Sequence, residues 1–200
     1  MIPNPKYIVP IFQYEKFIGS GFVVKDKLFT AQHIIVSSSG GFGVNAYVNG
    51  TFYPLSSPLA LSSNSEIDTI VYKLHNLDFD SPLQFAKEDP IYIDNTKYKS
   101  MHFQPRKGGD CFYNETNCIV FKEEDDSRFG GLSDSRIQRG ASGSPLVKGN
   151  KVYGMLVIGC PLPEQRIKEL SDNGDVPKDI AFYNQYIKGS VLNKIFDNLT

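Results

Sequence analysis

The chain has 200 residues, which is enough for one large all-β domain or for two small lobes that share a cleft. Hydrophobic residues make up 40% of it and charged residues 22%, a globular composition that excludes an intrinsically disordered protein. The formal net charge is −1 and no basic stripe stands out, so we expect no nucleic-acid partner.

Export and membrane signals are absent from the sequence. Residues 1–6 lack the basic and apolar regions of a signal peptide, and no run of about 18 apolar residues occurs. We therefore expect a cytoplasmic protein without a membrane anchor. The three cysteines are an odd number, and free thiols fit a chain without an export signal better than disulfides do. Cys111 and Cys118 could nevertheless face each other across a hairpin.

Short apolar runs bounded by turn residues predict β-strands along most of the chain. The runs lie at residues 7–12, 17–24, 28–31, 44–48, 67–74, 110–113, 118–121, 145–147 and 151–159. Asn49-Gly50 and Gly149-Asn150 are two-residue hairpin signals between apolar residues. Regular strand spacing with few helical patterns indicates an all-β sandwich or a pair of barrels.

Two segments predict helices. One covers residues 164–170, and the other covers residues 185–199, where six apolar residues follow a period of 3.6. We expect the second to be an amphipathic helix that packs on the body of the domain. A boundary between two lobes would fall near residues 81–94, where Pro82 and Pro90 interrupt the strand pattern. This divides a single domain, residues 1–200, into an N-terminal barrel at about residues 7–85, a C-terminal barrel at about residues 95–184 and the helix.

Three motifs contain the residue types that nucleophilic hydrolysis needs. The sequence GSGF at residues 19–22 precedes TAQH at residues 30–33, which ends on His33. Asp68 opens an apolar strand, and Ser142 stands in the sequence GASG just before another strand. Each motif alone is ambiguous, because a single histidine is often structural and both an Asp at a strand start and a Gly-x-Ser-Gly string are often turns. Together they contain a nucleophile, a base and a carboxylate.

The chemistry accounts for each residue type. A serine hydroxyl is a poor nucleophile until a base takes its proton, and an imidazole can accept that proton and return it to a leaving amine. A buried carboxylate holds the imidazole in the correct tautomer. Gly140 and Ser142 could supply two backbone N–H donors to an oxyanion. Ser142 is a better nucleophile candidate than Ser144, because only Ser142 has a glycine two residues before it and another immediately after.

The chain resembles the trypsin-like serine proteases, in particular the peptidase domain of the bacterial HtrA (Deg) type. That family has a GSGF strand before T-x-x-H, a D-I-A-[VL]-L-K strand and a G-N-S-G-G-P-L segment, in the same order His, Asp, Ser. Here 35 residues separate His33 from Asp68, and 74 separate Asp68 from Ser142. The resemblance covers roughly residues 7–199 and implies the chymotrypsin fold. That fold has two six-stranded antiparallel β-barrels, a C-terminal α-helix and an active site in the cleft between the barrels.

The resemblance also implies a serine endopeptidase that needs no cofactor or metal, with His33, Asp68 and Ser142 as catalytic triad. Gly140 and Ser142 would form the oxyanion hole. A peptide or protein substrate would lie along the strand that contains Val157, Ile158 and Gly159, while Arg136 and Ile137 would line the specificity pocket. No cofactor is expected, and His75 and His102 have no ligand partner at useful spacing for a metal.

Several positions depart from the family pattern. Ser144 replaces a glycine, and Ala141 stands where digestive proteases have an Asp that pairs with a newly cut N-terminus, so we do not expect activation by that cleavage. The chain has no room for a PDZ domain. Arg136 falls at the base of the specificity pocket, where a guanidinium would favour an acidic residue before the scissile bond. Alternatively, Arg136 faces solvent or pairs with a neighbouring acid.

Two long segments suggest regulation by loop ordering or by a partner protein. Residues 121–132 contain an acidic run and then Gly130-Gly131, which we expect to be a flexible joint, and residues 160–178 look like an insertion with a short helix. Two alternatives to a peptidase stay open. One is a catalytically inactive binding module on a protease fold, and the other is an esterase-like hydrolase that uses the same chemistry.

Overall fold

A computed structural model describes residues 5–37, 43–61, 67–92, 96–122, 126–161 and 182–199, with residues 158–161 described by their backbone. This part of the chain forms two antiparallel sheets followed by a helix, as the strand pattern predicts. No helix within these ranges is long and apolar enough to cross a membrane.

The N-terminal sheet has seven strands and a short helix. Its strand order is β5-β4-β1-β2-β3-β7-β6, and its pairings are antiparallel. The helix α1 follows β3 directly, so the site of the predicted base lies at a strand end. The elements are β1 (Ile8–Gln13), β2 (Lys16–Val24), β3 (Lys27–Ala31), α1 (Gln32–Val36), β4 (Val44–Val48), β5 (Thr51–Pro54), β6 (Pro58–Leu61) and β7 (Thr69–Lys73).

The C-terminal sheet closes on itself. Its order is β12-β9-β10-β11-β14-β13, and β12 also pairs with β13, so six antiparallel strands form a complete ring. The short β8 adds to the outside of this ring by a parallel pairing with β13, which makes seven strands where we predicted six. The elements are β8 (Gln84–Phe85), β9 (Tyr98–Pro105), β10 (Cys111–Lys122), β11 (Arg128–Ser133), β12 (Pro145–Lys148), β13 (Lys151–Pro161), β14 (Phe182–Lys188) and α2 (Gly189–Asp197).

The alternative in which Cys111 and Cys118 face each other across a hairpin is wrong, and the expected free thiols are confirmed for these two cysteines. The two strands predicted at residues 110–113 and 118–121 form one continuous strand, β10, that pairs with β9 over residues 111–118. Cys111 and Cys118 therefore lie on the same strand, and both are free thiols. The prediction missed β9 because its sequence, YKSMHFQP, mixes polar and apolar residues on two buried faces.

The predicted flexible joint at Gly130-Gly131 is also wrong, because both glycines lie in β11 and pair with β10 and β14. A Cβ on Gly130 would overlap the ring of Phe121, and one on Gly131 would lie 2.7 Å from the ring of Tyr186. The glycines thus leave room for one aromatic ring on each face of the sheet, Phe121 beside Gly130 and Tyr186 beside Gly131. The acidic residues 123–125 lie outside the described residues.

The C-terminal helix begins later than its periodicity suggested. Residues 185–188 belong to β14, and α2 covers Gly189–Asp197. The helix is amphipathic as expected: Leu192 and Phe196 are buried, and the ring of Phe196 packs near those of Phe29 and Phe85. One hydrophobic cluster therefore contains residues of both sheets and of α2, which holds the two sheets in a defined relation. The helix predicted at residues 164–170 lies outside the described residues.

Candidate active site

His33 and Asp68 are joined in the N-terminal sheet. The Nδ1 atom of His33 lies 2.6 Å from Oδ2 of Asp68, and the backbone N–H of His33 donates to Oδ1 at 2.8 Å. The imidazole side chain is 45% exposed, whereas the carboxylate is only 16% exposed. The carboxylate therefore orients the ring through Nδ1. This leaves the other ring nitrogen, Nε2, available on the exposed side.

The local fold explains how Asp68 reaches this position. Ala31 at the end of β3 pairs with Thr69 at the start of β7, so the residue before Thr69 meets the first turn of α1. The carbonyl of Asp68 accepts the N–H of Gln32 at 3.1 Å, and its carboxylate accepts the next N–H. Two N–H groups that α1 cannot pair internally are thus satisfied. Asp68 has a φ of +31°, a left-handed conformation that Asp tolerates better than most residues.

Ser142 lies on the turn between β11 and β12, at the contact of the two sheets. Its carbonyl accepts the N–H of Ser20 in β2 at 3.0 Å, and the N–H of Gly143 donates to Leu156 in β13 at 2.7 Å. Gly143 has a φ of +85°, and a Cβ there would overlap the Ser20 carbonyl and the Thr30 hydroxyl. The glycine after the serine is therefore required by close packing between the sheets.

The turn before Ser142 presents backbone donors. Gly140 has a φ of +100°, and a Cβ on it would overlap the Phe17 ring. The N–H of Ala141 closes the turn onto the Gln138 carbonyl at 3.2 Å. In the described part of the chain, the N–H groups of Gly140 and Ser142 make no hydrogen bond, so both are available to an incoming oxyanion.

Ser20 is a functional candidate that the sequence reasoning missed. Its hydroxyl donates to the Gly140 carbonyl at 2.9 Å and accepts the N–H of Phe103 at 3.1 Å, and its own carbonyl accepts the Thr30 hydroxyl at 2.7 Å. Ser20 is 0% exposed. It thus links both sheets to the turn that contains Gly140 and Ser142. The only signal in the sequence was its position between two glycines in GSGF.

The hydroxyl of Ser142 makes no hydrogen bond to His33 in this structure. Its Oγ lies 3.5 Å from the main-chain oxygen of Val157, at the long limit of a hydrogen bond. Activation of the serine by the imidazole would need a bond from this hydroxyl to Nε2 of His33. Ser144 is 0% exposed and its hydroxyl makes no hydrogen bond, so it has no access to a substrate.

His33 and Ser142 line the same open cleft, which has a volume of about 500 Å³. The other residues that line it come from the β1–β2 hairpin, α1, the end of β9 and the turn before Ser142. They are Gln13, Lys16, Phe17, Ile18, Ile34, Ser37, Pro105, Arg139 and Gly140. The cleft thus contains the serine, the histidine, the glycine of the turn and two basic side chains.

The predicted substrate-binding residues occupy different environments. Arg136 is exposed and makes no ion pair with any described residue, which favours the solvent-facing alternative; its role in a specificity pocket stays a prediction. Ile137 is buried in the C-terminal core. Val157 is 4% exposed, and the backbones of Ile158 and Gly159 pair with β14.

The thiols of Cys111 and Cys118 do not compete with Ser142 as nucleophiles. Burial raises the pKa of Cys118 to about 12, and burial followed by the charge of Asp110 raises the pKa of Cys111 to about 12. Both thiols therefore stay protonated at neutral pH and are weak nucleophiles. No cluster of three metal-ligating side chains occurs among the residues that the structure describes.

Solved structures with the same architecture are trypsin-like serine proteases and their inactive relatives. The serine protease neuropsin of mouse brain is 15% identical with a TM-score of 0.68, over 96% of this chain and 93% of that one. Kallikrein-related peptidase 10 is 16% identical with a TM-score of 0.66, over 96% of each chain. An inactivated protease paralogue of the scabies mite is 13% identical with a TM-score of 0.65, over 97% of this chain and 92% of that one.

A bacterial structure also matches. The Rv3671c protein of Mycobacterium tuberculosis, in the inactive form of a serine-to-alanine mutant, is 17% identical with a TM-score of 0.59, over 96% of this chain and 86% of that one. No protein-family model and no curated protein sequence matches the chain. Similarity at this level of identity shows the fold alone, and the fold is that of chymotrypsin, which confirms the predicted architecture.

Proposed function

We propose that this chain is a serine endopeptidase that hydrolyses peptide bonds through an acyl-enzyme on Ser142. The observation that carries the proposal is the His33–Asp68 pair, with its 2.6 Å contact, in the same cleft as Ser142 and the turn of Gly140. A paired imidazole, a serine in reach of the same substrate and two free N–H donors are the components of peptide hydrolysis by covalent catalysis.

Each group has one role in the proposed reaction. Nε2 of His33 takes the Ser142 proton as Oγ attacks the carbonyl carbon, and Asp68 stabilises the imidazolium through Nδ1–H. The N–H groups of Gly140 and Ser142 bind the oxygen that becomes negative. His33 then gives its proton to the leaving amine. A water molecule, deprotonated by His33, hydrolyses the acyl-enzyme and restores the hydroxyl.

The edge of β13 supports a peptide over a simple ester as the substrate. The strand pairs with β12 only as far as Met155, and the N–H and carbonyl of Leu156 bond to the turn that contains Ser142. From Val157 onwards, β13 has a described partner only on its β14 side. An extended peptide can add to this open edge by main-chain hydrogen bonds and pass directly in front of Ser142.

The orientation of Ser142 supports regulation as part of the proposal. The hydroxyl contacts the Val157 carbonyl and forms no hydrogen bond to His33, so attack requires it to bond to Nε2 of His33 instead. A peptide that binds to the β13 edge, or a partner protein, could drive this change of partner. The same observation favours the second candidate function, a non-catalytic binding module, and one structural neighbour is an inactivated protease paralogue.

A fluorophosphonate probe with a fluorescent tag tests the proposal, because it reacts only with a serine that an adjacent base activates. We expect labelling of the purified chain that disappears in Ser142→Ala and persists in the matched control Ser144→Ala. Cleavage of a casein substrate should follow the same pattern. If the folded wild-type chain is not labelled and binds casein without cleaving it, the binding module replaces the peptidase.

A further inference from the structure

The active-site cleft contains two basic side chains that pair with no carboxylate among the described residues. Lys16 and Arg139 line it, and no Asp or Glu does so among the described residues. Glu15, the sequence neighbour of Lys16, forms no ion pair with it and does not line the cleft. Two exposed cations that share one cleft produce a positive electrostatic potential inside it.

Some lysines elsewhere on this protein lie close to an acid. Six described lysines lie within 4 Å of a carboxylate: Lys6, Lys27, Lys73, Lys99, Lys151 and Lys188. Lys16 and Arg139 have no described carboxylate within 4 Å, and unlike other unpaired basic groups they share one cleft, at the position where a substrate must bind. An anionic group of the substrate would complement this pair of charges.

The position of the cleft indicates which side of the scissile bond it serves. The substrate residues before the scissile bond are expected to pair with the edge of β13. None of the described residues that line the cleft belongs to β13. The cleft instead continues from Ser142 and Gly140 to Phe17 and Lys16 of the β1–β2 hairpin. A peptide that enters along β13 and crosses Ser142 therefore places its leaving side over Lys16 and Arg139.

We infer that the cleft selects peptides with an aspartate or glutamate among the first three residues on the leaving side of the scissile bond; this inference rests on the proposed peptidase function. A peptide advances about 3.3 Å per residue, so three residues extend across a cleft of this size. Exposed charge pairs are weak, and each should change kcat/KM by about two- to fivefold. The effect should decline as ionic strength rises.

Matched peptides test the inference. Quenched fluorescent substrates would share one sequence before the scissile bond and differ by Glu or Gln at the first, second or third position after it. We expect the wild-type chain to cleave the best Glu peptide about five- to tenfold faster, in kcat/KM, than its Gln partner at low salt. In the double variant Lys16→Gln, Arg139→Gln this ratio should fall to about 1. The control Lys87→Gln changes an exposed lysine outside the cleft and should keep the ratio.

A binding measurement separates this inference from the proposed function. Fluorescence anisotropy of the same Glu and Gln peptides, labelled and added to Ser142→Ala, needs no cleavage. Acid-selective binding that the double variant loses supports the part of the inference that does not depend on catalysis, namely that Lys16 and Arg139 select acidic peptides, even if the wild-type chain proves inactive. Cleavage and binding that do not distinguish Glu from Gln at any of the three positions overturn the inference and leave the peptidase function intact.

Discussion

The two halves of the candidate site are held in different ways. The base half lies within the N-terminal sheet, where Asp68 accepts three hydrogen bonds from Gln32 and His33. The nucleophile half is a turn of the C-terminal sheet, and bonds to Ser20 of the other sheet hold its backbone. Its hydroxyl contacts the Val157 carbonyl and makes no hydrogen bond to His33. The base is thus assembled by local contacts, whereas the nucleophile depends on how the two sheets meet.

The largest expected effect comes from breaking the base half with Asp68→Asn. The amide keeps the size of the side chain and tolerates the left-handed backbone, but it removes the charge and disfavours the tautomer that attack requires. We expect kcat/KM for a peptide substrate to fall about 10⁴-fold with little change in thermal unfolding. Steady-state kinetics and a melting curve provide the two measurements. A loss of less than tenfold would show that His33 acts without the carboxylate.

The second-largest effect is expected from Gly143→Ala, which pushes apart the base half and the nucleophile half of the site. The added Cβ overlaps the Ser20 carbonyl and the Thr30 hydroxyl, and alanine is strained at a φ of +85°. We expect a displaced nucleophile turn, a loss of about 10²-fold or more in kcat/KM, and a lower unfolding free energy. Gly149→Ala is the matched control, because it has a positive φ of 60° but nothing within 4 Å of its Cβ. Equal activity of the two variants would contradict the packing argument.

The difference between the halves also explains what the sequence could predict. His33, Asp68, Ser142 and Gly140 stand in short motifs whose spacing reflects local chemistry, and the structure brings all four to one region. The role of Ser20 depends on a bond to Gly140 that joins residues 120 apart. No local pattern encodes such a bond, since it exists only after both sheets have formed and packed together.

The same reasoning applies to the fold. Buried strands with apolar runs were predicted, but β9 and β11 were missed because polar residues or glycines interrupt their apolar patterns. The helical period extended back to residue 185, yet β14 continues to Lys188 because residues 182–188 pair with both β11 and β13. Pairing on two sides overrides a helical pattern of a few residues.

A third, smaller effect should come from Ser20→Ala, which removes the link between the halves and leaves both in place. The N–H of Phe103 loses its acceptor, and the Gly140 carbonyl loses the donor that orients its peptide. We expect kcat to fall about ten- to a hundredfold with KM nearly unchanged, because the oxyanion is bound only in the transition state. Affinity for a peptide aldehyde, whose adduct carries an oxyanion, should fall by the same factor.

A matched serine tests whether this effect is structural. Ser81 also bridges two backbone groups, donating to the Val23 carbonyl and accepting the N–H of Leu83, but it lies outside the site. Ser81→Ala should lower the unfolding free energy by a similar amount, about 1–2 kcal/mol, and leave kcat unchanged. If both variants lose activity in proportion to their stability, Ser20 does not position the turn.

The smallest effect concerns the histidines of the two halves. His33 is exposed and pairs with a carboxylate, whereas His102 in β9 is 0% exposed and bonds only to uncharged groups. Its Nδ1–H donates to the Ser100 carbonyl at 3.2 Å, and its Nε2 accepts from the Gln104 amide at 2.9 Å. Burial lowers the pKa of His102 to about 4. Between pH 6.5 and 4, the His102 imidazole is therefore protonated in the unfolded chain and neutral in the folded chain.

Stability should therefore decrease as the pH falls through this window. Between pH 7.5 and 5.5, His102 should remove about 1 kcal/mol from the free energy of unfolding, since each pH unit below 6.5 costs up to about 1.4 kcal/mol. Urea denaturation of the wild type at both pH values measures the change. In His102→Gln the difference between the two pH values should shrink by that amount, whatever the variant's own stability. His75→Gln, at an exposed position, should keep the wild-type difference, and an equal pH slope in all three proteins would contradict a neutral buried His102.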